Sequence, residues 1–252
     1  MSKIQLVIPM AGRGSRFTEA GYQTLKPLLP IHGEPMVSVV LKNLFSEKLS
    51  DVILVCQRET FESTDLRAAL SWLELPLTIL CVDEITQGPA DTVKVARVAI
   101  REHDPLVIAN SDQYLNCSME NFYSLLEDPY LSGAILTMQD DNPKWSFAEV
   151  DKNGFVMRVK EKEVISNHAT VGIYGYTKAK YAWEAFQRMW AANDRTNGEF
   201  YVAPSYNYLE QKKSRIVDLG PINEIMFGLG IPEDYENFCA NEISKSFVHK
   251  NF

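Results

Sequence analysis

The chain has 252 residues, 46% apolar and 23% charged, which suffices for the full core of an α/β protein. A formal charge of −8 argues against a general nucleic-acid binder or a membrane-surface protein. No repeat, low-complexity stretch, signal-like segment or apolar run near about 18 residues is present, so the expected location is the cytoplasm.

Ile4 to Pro9 reads as a buried strand that delivers the chain into a glycine-rich loop. Pro35 to Phe45 reads as a helix, with proline in the first turn where a missing N–H does no harm. Asp51 to Cys56 is a second strand, Thr60 to Trp72 a helix, and Leu77 to Val82 a third strand. Pro89 to Arg101 is another helix opened by proline, and Pro105 to Ala109 a fourth strand that ends at Asn110, Ser111 and Asp112. This alternation predicts an α/β fold with a mainly parallel, doubly wound sheet and ligands at the carboxyl ends of its strands.

The second half changes character. Trp145 to Val150 and Gly154 to Val159 flank a turn of Asp151, Lys152, Asn153 and Gly154, a hairpin signal. Ala169 to Tyr176 is a strand, whereas Lys178 to Trp190 and Tyr201 to Gln211 carry helical periodicity. Ile216 to Leu219 is a short strand, and Pro232 to Cys239 a helix with acids in its first turn. No linker divides the chain. The expectation is a single domain over residues 1–252, with a nucleotide-binding half over 1–140 and an acceptor-binding half over 141–252. Cys56, Cys81, Cys117 and Cys239 form no CxxC pair, and His32, His103, His168 and His249 are scattered, so no zinc site is expected.

The charge distribution points to the first loop. From Met1 to Gly33 the cations are Lys3, Arg13, Arg16 and Lys26, against one acid, Glu19. Ala11, Gly12 and Gly14 are small enough for backbone N–H groups to approach phosphate oxygens, and Ser15 follows them. Arg13 and Arg16 supply guanidinium forks, and Lys26 a mobile point charge. The loop lacks the GK[ST] of a P-loop, and Phe17 stands where a dinucleotide fingerprint has its third glycine.

The run Gly12-Arg13-Gly14-Ser15-Arg16, followed by Lys26-Pro27-Leu28, resembles the signature loop of the sugar nucleotidyltransferases. That family includes the nucleotide-sugar pyrophosphorylases and the phosphocholine-type cytidylyltransferases. The resemblance covers nearly the whole chain and implies a glycosyltransferase-A-like fold, with Gly12 to Arg16 wrapped around a nucleoside triphosphate and Ala11 among the nucleotide-binding residues. It implies that Lys26 stabilises charge at the α-phosphate, and Arg16 is expected to add to that stabilisation. It also places base recognition at Gln87 and Gly88, and nucleotide contacts at Asn110 and Ser111. Magnesium takes few carboxylate oxygens together with substrate phosphates, and the resemblance puts the metal-binding aspartate at Asp112. Glu161 and Lys162, and more distantly Glu199, match the acceptor-binding residues of the family. Leu25 stands where the family usually has proline, and Gly228 where many relatives carry a second metal-binding aspartate. Either Asp112 holds the metal with water and phosphates, or another acid such as Asp218 takes part, or activity is lost.

The expected reaction is an in-line displacement in which a phosphate oxygen of a phosphorylated small molecule attacks the α-phosphorus and pyrophosphate leaves. With a sugar 1-phosphate as acceptor, the product would serve surface polysaccharide synthesis. Three other readings stay open. A cytidylyltransferase for phosphocholine or a phosphorylated amino acid would want an aromatic cage, for which Trp145, Tyr174, Trp183 and Tyr201 are candidates. A glycosyltransferase of the same fold would use Asp112 in a metal motif. A nucleotide sensor without catalysis is the third. No nucleic-acid or membrane partner is expected, and homo-oligomerisation is left open.

Overall fold

The computed structural model describes residues 3–210, 213–222, 225–242 and 244–245. β1 (Ile4–Met10) is buried on both faces, which is why it reads as a continuous apolar run and not as an alternating one. Ile4, Leu6, Ile8 and Met10 join one core layer and Val7 the other. Gln5, fully buried in the same strand, accepts from the Arg101 N–H (2.6 Å) and donates to the Arg101 carbonyl (2.9 Å). Its polar atoms are thereby satisfied inside the core.

Parallel neighbours flank this strand. After α1 (Ser15–Glu19), the two-residue strands β2 (Pro30–Ile31) and β3 (Glu34–Pro35), and α2 (Met36–Leu44), the chain enters β4 (Leu49–Gln57) beside β1. α3 (Arg58–Glu62) and α4 (Thr64–Ala69) lead to β5 (Leu77–Val82), parallel to β4. α5 (Pro89–Ala96) returns the chain to β6 (Leu106–Ala109), parallel to β1 on its other side. Then follow β7 (Gln113–Leu115), α6 (Glu120–Leu125), β8 (Gly133–Gln139), β9 (Ser146–Val150), β10 (Val156–Glu161) and β11 (His168–Tyr176). α7 (Ala179–Ala191), β12 (Ser214–Pro221), β13 (Met226–Gly228) and α8 (Pro232–Ala240) complete the order.

Among the described residues one sheet carries nine strands, with β10-β9-β11-β6-β1-β4-β5 along its main path and β8 and β12 branching from β11. The expected parallel core, β5-β4-β1-β6, is present. β11 runs antiparallel to β6, β8 and β9, so the hairpin half is fused to the parallel half through one strand. A separate ribbon pairs β13 with β7, setting Gly228 opposite Gln113. Helices cover both faces: α2, α4, α6 and α8 contribute to one layer, α5 and α7 to the other. None of the described helices is long and apolar enough to cross a membrane.

Three expected helices differ. Thr60 to Trp72 is divided at Ser63, whose hydroxyl accepts from the Asp65 N–H and caps α4. The helix expected over Pro89 to Arg101 stops at Ala96, and the Arg101 backbone is drawn to the Gln5 amide instead. Tyr201 to Gln211 contains a 3-10 turn at Ala203–Tyr208, while Gln211 lies outside the described residues. Tertiary bonds hold that tighter turn: Tyr206 Oη donates to Gly175 O (2.7 Å), and Ser205 Oγ pairs with Tyr176 Oη (2.7 Å). The buried strand β8, whose run Ala134 to Met138 is apolar but for Thr137, is missing from the expected order. His249 also lies outside the described residues.

Candidate active site

β1 ends in a loop whose turn is fixed by Gly14, at φ +63, and the Gly14 carbonyl accepts the first N–H groups of α1 from Phe17 and Thr18. A Cβ on Gly14 would sit 3.2 Å from Lys26 Cβ, so the loop and the Lys26 segment lie in close contact. Phe17 is 2% exposed and anchors the short helix in the core. Gln57 Nε2 donates to the Ala11 carbonyl (2.5 Å) and ties the loop to the end of β4.

The carboxyl ends of β1 and β6 then bring opposite charges together. Lys26 Nζ lies 2.5 Å from Asp112 Oδ2, with both side chains partly open to solvent. Asp112 is held by its own backbone, whose carbonyl accepts from the Leu229 N–H (2.8 Å). The adjacent Asn110 N–H donates to Gly172 O (2.9 Å).

Two cavities meet at this point. The first, of about 320 Å³, is lined by Ala11, Gly12, Gly14, Lys26, Thr86, Gly88, Asn110, Ser111, Asp112 and Glu199. The second, of about 1100 Å³, is lined by Arg16, Asn110, Asp112, Gln113, Lys144, Trp145, Ser146, Glu161, Lys162, Thr170, Tyr174, Tyr201 and Asp234, among others. Asn110 and Asp112 belong to both walls. Arg16 and Asp112 therefore share a cleft, although they come from opposite ends of the first half of the chain.

Not every candidate faces these cavities. Arg13 and Ser15 line a third basin on the outer side of the loop, together with Gly12, Lys26 and Arg58. The Gln87 side chain is turned to Arg195, from which it accepts, and lines neither of the two main cavities. Gly88 does line the first cavity, and its backbone is stapled to the second half of the chain. Phe200 N–H donates to Gln87 O (2.7 Å), and Ala90 N–H donates to Phe200 O (3.0 Å). This staple carries Glu199 into the first cavity, although the match with the family placed it at the acceptor.

Polar side chains, from half-buried Glu161 and Tyr201 to exposed Lys162, line the second cavity. Lys162, in the left-handed region at φ +55, donates to Tyr201 Oη (2.8 Å), which in turn donates to Glu199 Oε2 (2.6 Å). Burial raises the Glu161 carboxyl above its ordinary range, opposed by a hydrogen bond from Ser146 and by the Lys162 charge. Burial also raises the Tyr201 phenol, reinforced by its bond to Glu199, so it stays a neutral donor near neutral pH.

Two residues weighed from the sequence, Trp183 and Asp218, stand away from the main cavities. Trp183 is remote from the basin: Arg97 lies over its ring at 5.0 Å and Trp190 packs against it. The Lys144 ammonium already covers Trp145 at 4.5 Å. A cage of the four aromatics is therefore not assembled. Asp218 lines neither main cavity; on β12 it accepts from Gln139 Nε2 (2.9 Å) and lies 3.6 Å from His168 Nδ1. The acid beside Gly228 is Asp234, from the first turn of α8. A Cβ on Gly228 would meet Asp234 Oδ2 at 3.1 Å, and a Cβ on Gly230 would meet Asp112 Oδ2 at 3.0 Å. Each of these glycines leaves room for a carboxylate. Gln113, Ser146, Thr170 and Asp234 are wall residues that the sequence reading did not single out; only the immediate neighbourhood of Asp112 and Gly228 hinted at two of them.

The comparisons with known proteins identify the family and the fold. A family model described as Nucleotidyl transferase matches residues 6–200. The bifunctional protein GlmU of Brevibacillus brevis is 24% identical over 227 residues, covering 86% of this chain and 46% of that protein. The chain thus spans about half the length of this curated relative. A solved nucleoside-diphosphate-sugar pyrophosphorylase from Vibrio cholerae RC9 is similar with a TM-score of 0.79 and 24% identity, over 94% of this chain and 100% of that one. The inositol-1-phosphate CTP transferase from T. maritima is similar with a TM-score of 0.74 and 12% identity, over 99% of this chain and 96% of that one. At these identities the structural likenesses show the shared fold.

Proposed function

The chain belongs to the nucleotidyl transferase family of enzymes, and from that premise we propose that it transfers a nucleoside monophosphate to a sugar 1-phosphate. The observation that supports this most is the junction of two cavities at Asp112, with Lys26 on one side and Arg16 on the other. The smaller cavity suits the triphosphate, because small residues and backbone form its wall beneath Lys26. The larger one suits the acceptor, because Glu161, Lys162 and Tyr201 offer it both hydrogen-bond donors and acceptors.

A phosphate monoester is already anionic near neutral pH, so its oxygen attacks the α-phosphorus without a strong base. One oxygen–phosphorus bond forms, the bond to the bridging oxygen breaks, and pyrophosphate carries away the released electron pair. Lys26 and Arg16 stabilise charge on the equatorial oxygens, and the shared cleft holds the reactants in line. Near neutral pH the reaction needs no proton relay through a Ser/His/Asp set.

The family resemblance implies Mg²⁺, and the donor set fits it. Asp112 and Asp234 carboxylates occupy the space left by Gly230 and Gly228. Among the described residues no group of three His, Cys, Asp or Glu forms a closed metal cage, and Mg²⁺ favours one or two carboxylates with substrate phosphates. Asp112 and Asp234 would hold the ion, which supplies charge neutralisation for the triphosphate.

The product, a nucleoside diphosphate sugar, is an activated donor for surface polysaccharide assembly, made in the cytoplasm where triphosphates are abundant. The test is a pyrophosphate-release screen of the common nucleoside triphosphates against sugar 1-phosphates, polyol phosphates and phosphocholine with Mg²⁺. Release with a sugar 1-phosphate is the expected result. Release with phosphocholine alone would overturn the acceptor assignment, and consumption of a nucleotide sugar without pyrophosphate chemistry would favour glycosyl transfer.

A further inference from the structure

Gln113 follows Asp112 directly, yet the reaction as derived gives it no task. It opens β7, and its pairing with Gly228 of β13 fixes its backbone at the floor of the larger cavity. The residue is 3% exposed. Room for its side chain comes from β11. Gly172, at φ +73, sits where the register of β11 shifts between Thr170 and Tyr174. A Cβ there would fall 2.9 Å from Gln113 Oε1 and 2.6 Å from Asn110 Cγ. A kinked glycine in an otherwise regular strand thus makes space for two amide side chains beside Asp112.

Nothing among the described residues accepts a hydrogen bond from Gln113 Nε2. The neighbouring polar groups are engaged with one another: Thr170 Oγ1 pairs with Tyr174 Oη (2.9 Å), Ser146 bonds Glu161, and Lys162, Tyr201 and Glu199 form a chain. A buried donor left unmade costs stability, and folded chains satisfy nearly all such groups. A donor kept dry at the wall of a substrate cavity is explained when the substrate provides the missing acceptor.

Building on the proposed function, we propose that Gln113 is a specificity residue for the acceptor, donating from its side-chain amide to a hydroxyl or ring oxygen of a polyhydroxylated phosphate ester. The chemistry favours a neutral oxygen. The cations Lys26, paired with Asp112, and Lys162, bonded to Tyr201, suit a phosphate, whereas the neutral Gln113 amide matches a neutral partner. Glu161 supplies a hydrogen-bond acceptor in the same cavity, so the wall offers the donor and acceptor pair that a hydroxyl group uses. A trimethylammonium head offers the amide no acceptor atom.

The test uses the full chain and the Gln113→Met variant, which keeps side-chain length and removes the donor. Steady-state rates are measured with the hexose 1-phosphate that the wild type uses fastest among glucose, galactose, mannose and N-acetylglucosamine 1-phosphates, and with its monodeoxy analogues. The expected kcat/KM loss for the parent acceptor is about 10- to 100-fold, with the triphosphate KM unchanged. The wild type should lose a similar factor with one particular deoxy analogue, to which the variant should be indifferent. Because the variant removes an unpaired buried group, its melting temperature should equal or exceed that of the wild type. A uniform loss over all analogues, or a lowered melting temperature with a raised triphosphate KM, would mark Gln113 as structural. Turnover of phosphocholine and of no hexose 1-phosphate would also overturn the inference. Absence of pyrophosphate release with every acceptor would instead remove the functional reading on which it rests.

Discussion

Gly88→Ala probes the staple that joins the two halves of the cleft. Gly88 has φ +114, and an added Cβ would lie 2.6 Å from Phe200 O and 2.8 Å from Phe200 N. Both are backbone atoms, so no side-chain rotation relieves the overlap. Phe200 N–H is bonded to Gln87 O at 2.7 Å and Phe200 O to Ala90 N at 3.0 Å, and separating the strands of chain weakens both bonds. Strain at such a φ costs about 1–3 kcal/mol and each backbone bond about 0.5–1.5 kcal/mol, giving a total of about 2–6 kcal/mol. At about 2–4 °C per kcal/mol for a chain of this size class, the melting temperature should fall by on the order of 10 °C. Gly198→Ala is the control: its φ is +83 and nothing lies within 4 Å of the added Cβ, so it reports the strain alone. The assay is thermal unfolding of the three proteins, followed by triphosphate binding where they remain folded. A Gly88→Ala protein that melts together with the Gly198→Ala control would refute the close approach.

Lys26→Ala should lower kcat by about 100- to 1000-fold while changing triphosphate affinity much less, if Lys26 acts on charge that develops during transfer. Equal losses in rate and affinity, measured by single-turnover kinetics and equilibrium binding, would contradict that role. Asp234→Asn should raise the Mg²⁺ concentration for half-maximal rate, and weaken Mn²⁺ binding, by about 10- to 100-fold. Asp218→Asn should leave both unchanged; the reverse pattern would reassign the second carboxylate. Burial raises Glu161 above the 4.5 of an unperturbed glutamate, so the folded protein holds this proton more tightly than the unfolded chain. Its contribution to stability is greatest below that ordinary value and is lost as pH rises through the raised one. Where Glu161 must be ionised to accept from the acceptor's hydroxyls, the acceptor KM should rise on acidification before exposed glutamates protonate. Glu161→Gln should flatten that profile, and an unchanged inflection in the variant would assign it elsewhere.

The parallel core and the glycine-rich loop that follows its first strand were legible in the sequence because their signals are contiguous. Ile4 to Pro9 reads as a strand buried on both faces, and Gly12 to Arg16 follow it in one short loop. Asp112 could likewise be placed from the strand that precedes it. The strands depend on backbone chemistry over a few residues, which periodicity reports, whereas the roles expected of the loop and of Asp112 came from the family resemblance. The second half was less legible, since Ala203 to Tyr208 takes its 3-10 form from bonds that Tyr206 and Ser205 make to distant strands. The same holds for the aromatics: nothing local distinguishes Trp145, at the cavity, from Trp183, which packs on the other side against α5.

Only the tertiary structure decided where the side chains converge. It turned Gln87 toward Arg195, stapled the backbone on either side of Gly88 to Phe200, brought Asp234 against Gly228, and left Gln113 Nε2 without a partner among the described residues. Those outcomes depend on contacts between segments far apart in the chain, often on the sub-ångström fit of a missing Cβ. Local propensity fixes which residues form a strand or a turn, whereas close packing between remote segments fixes which atoms meet across the cleft.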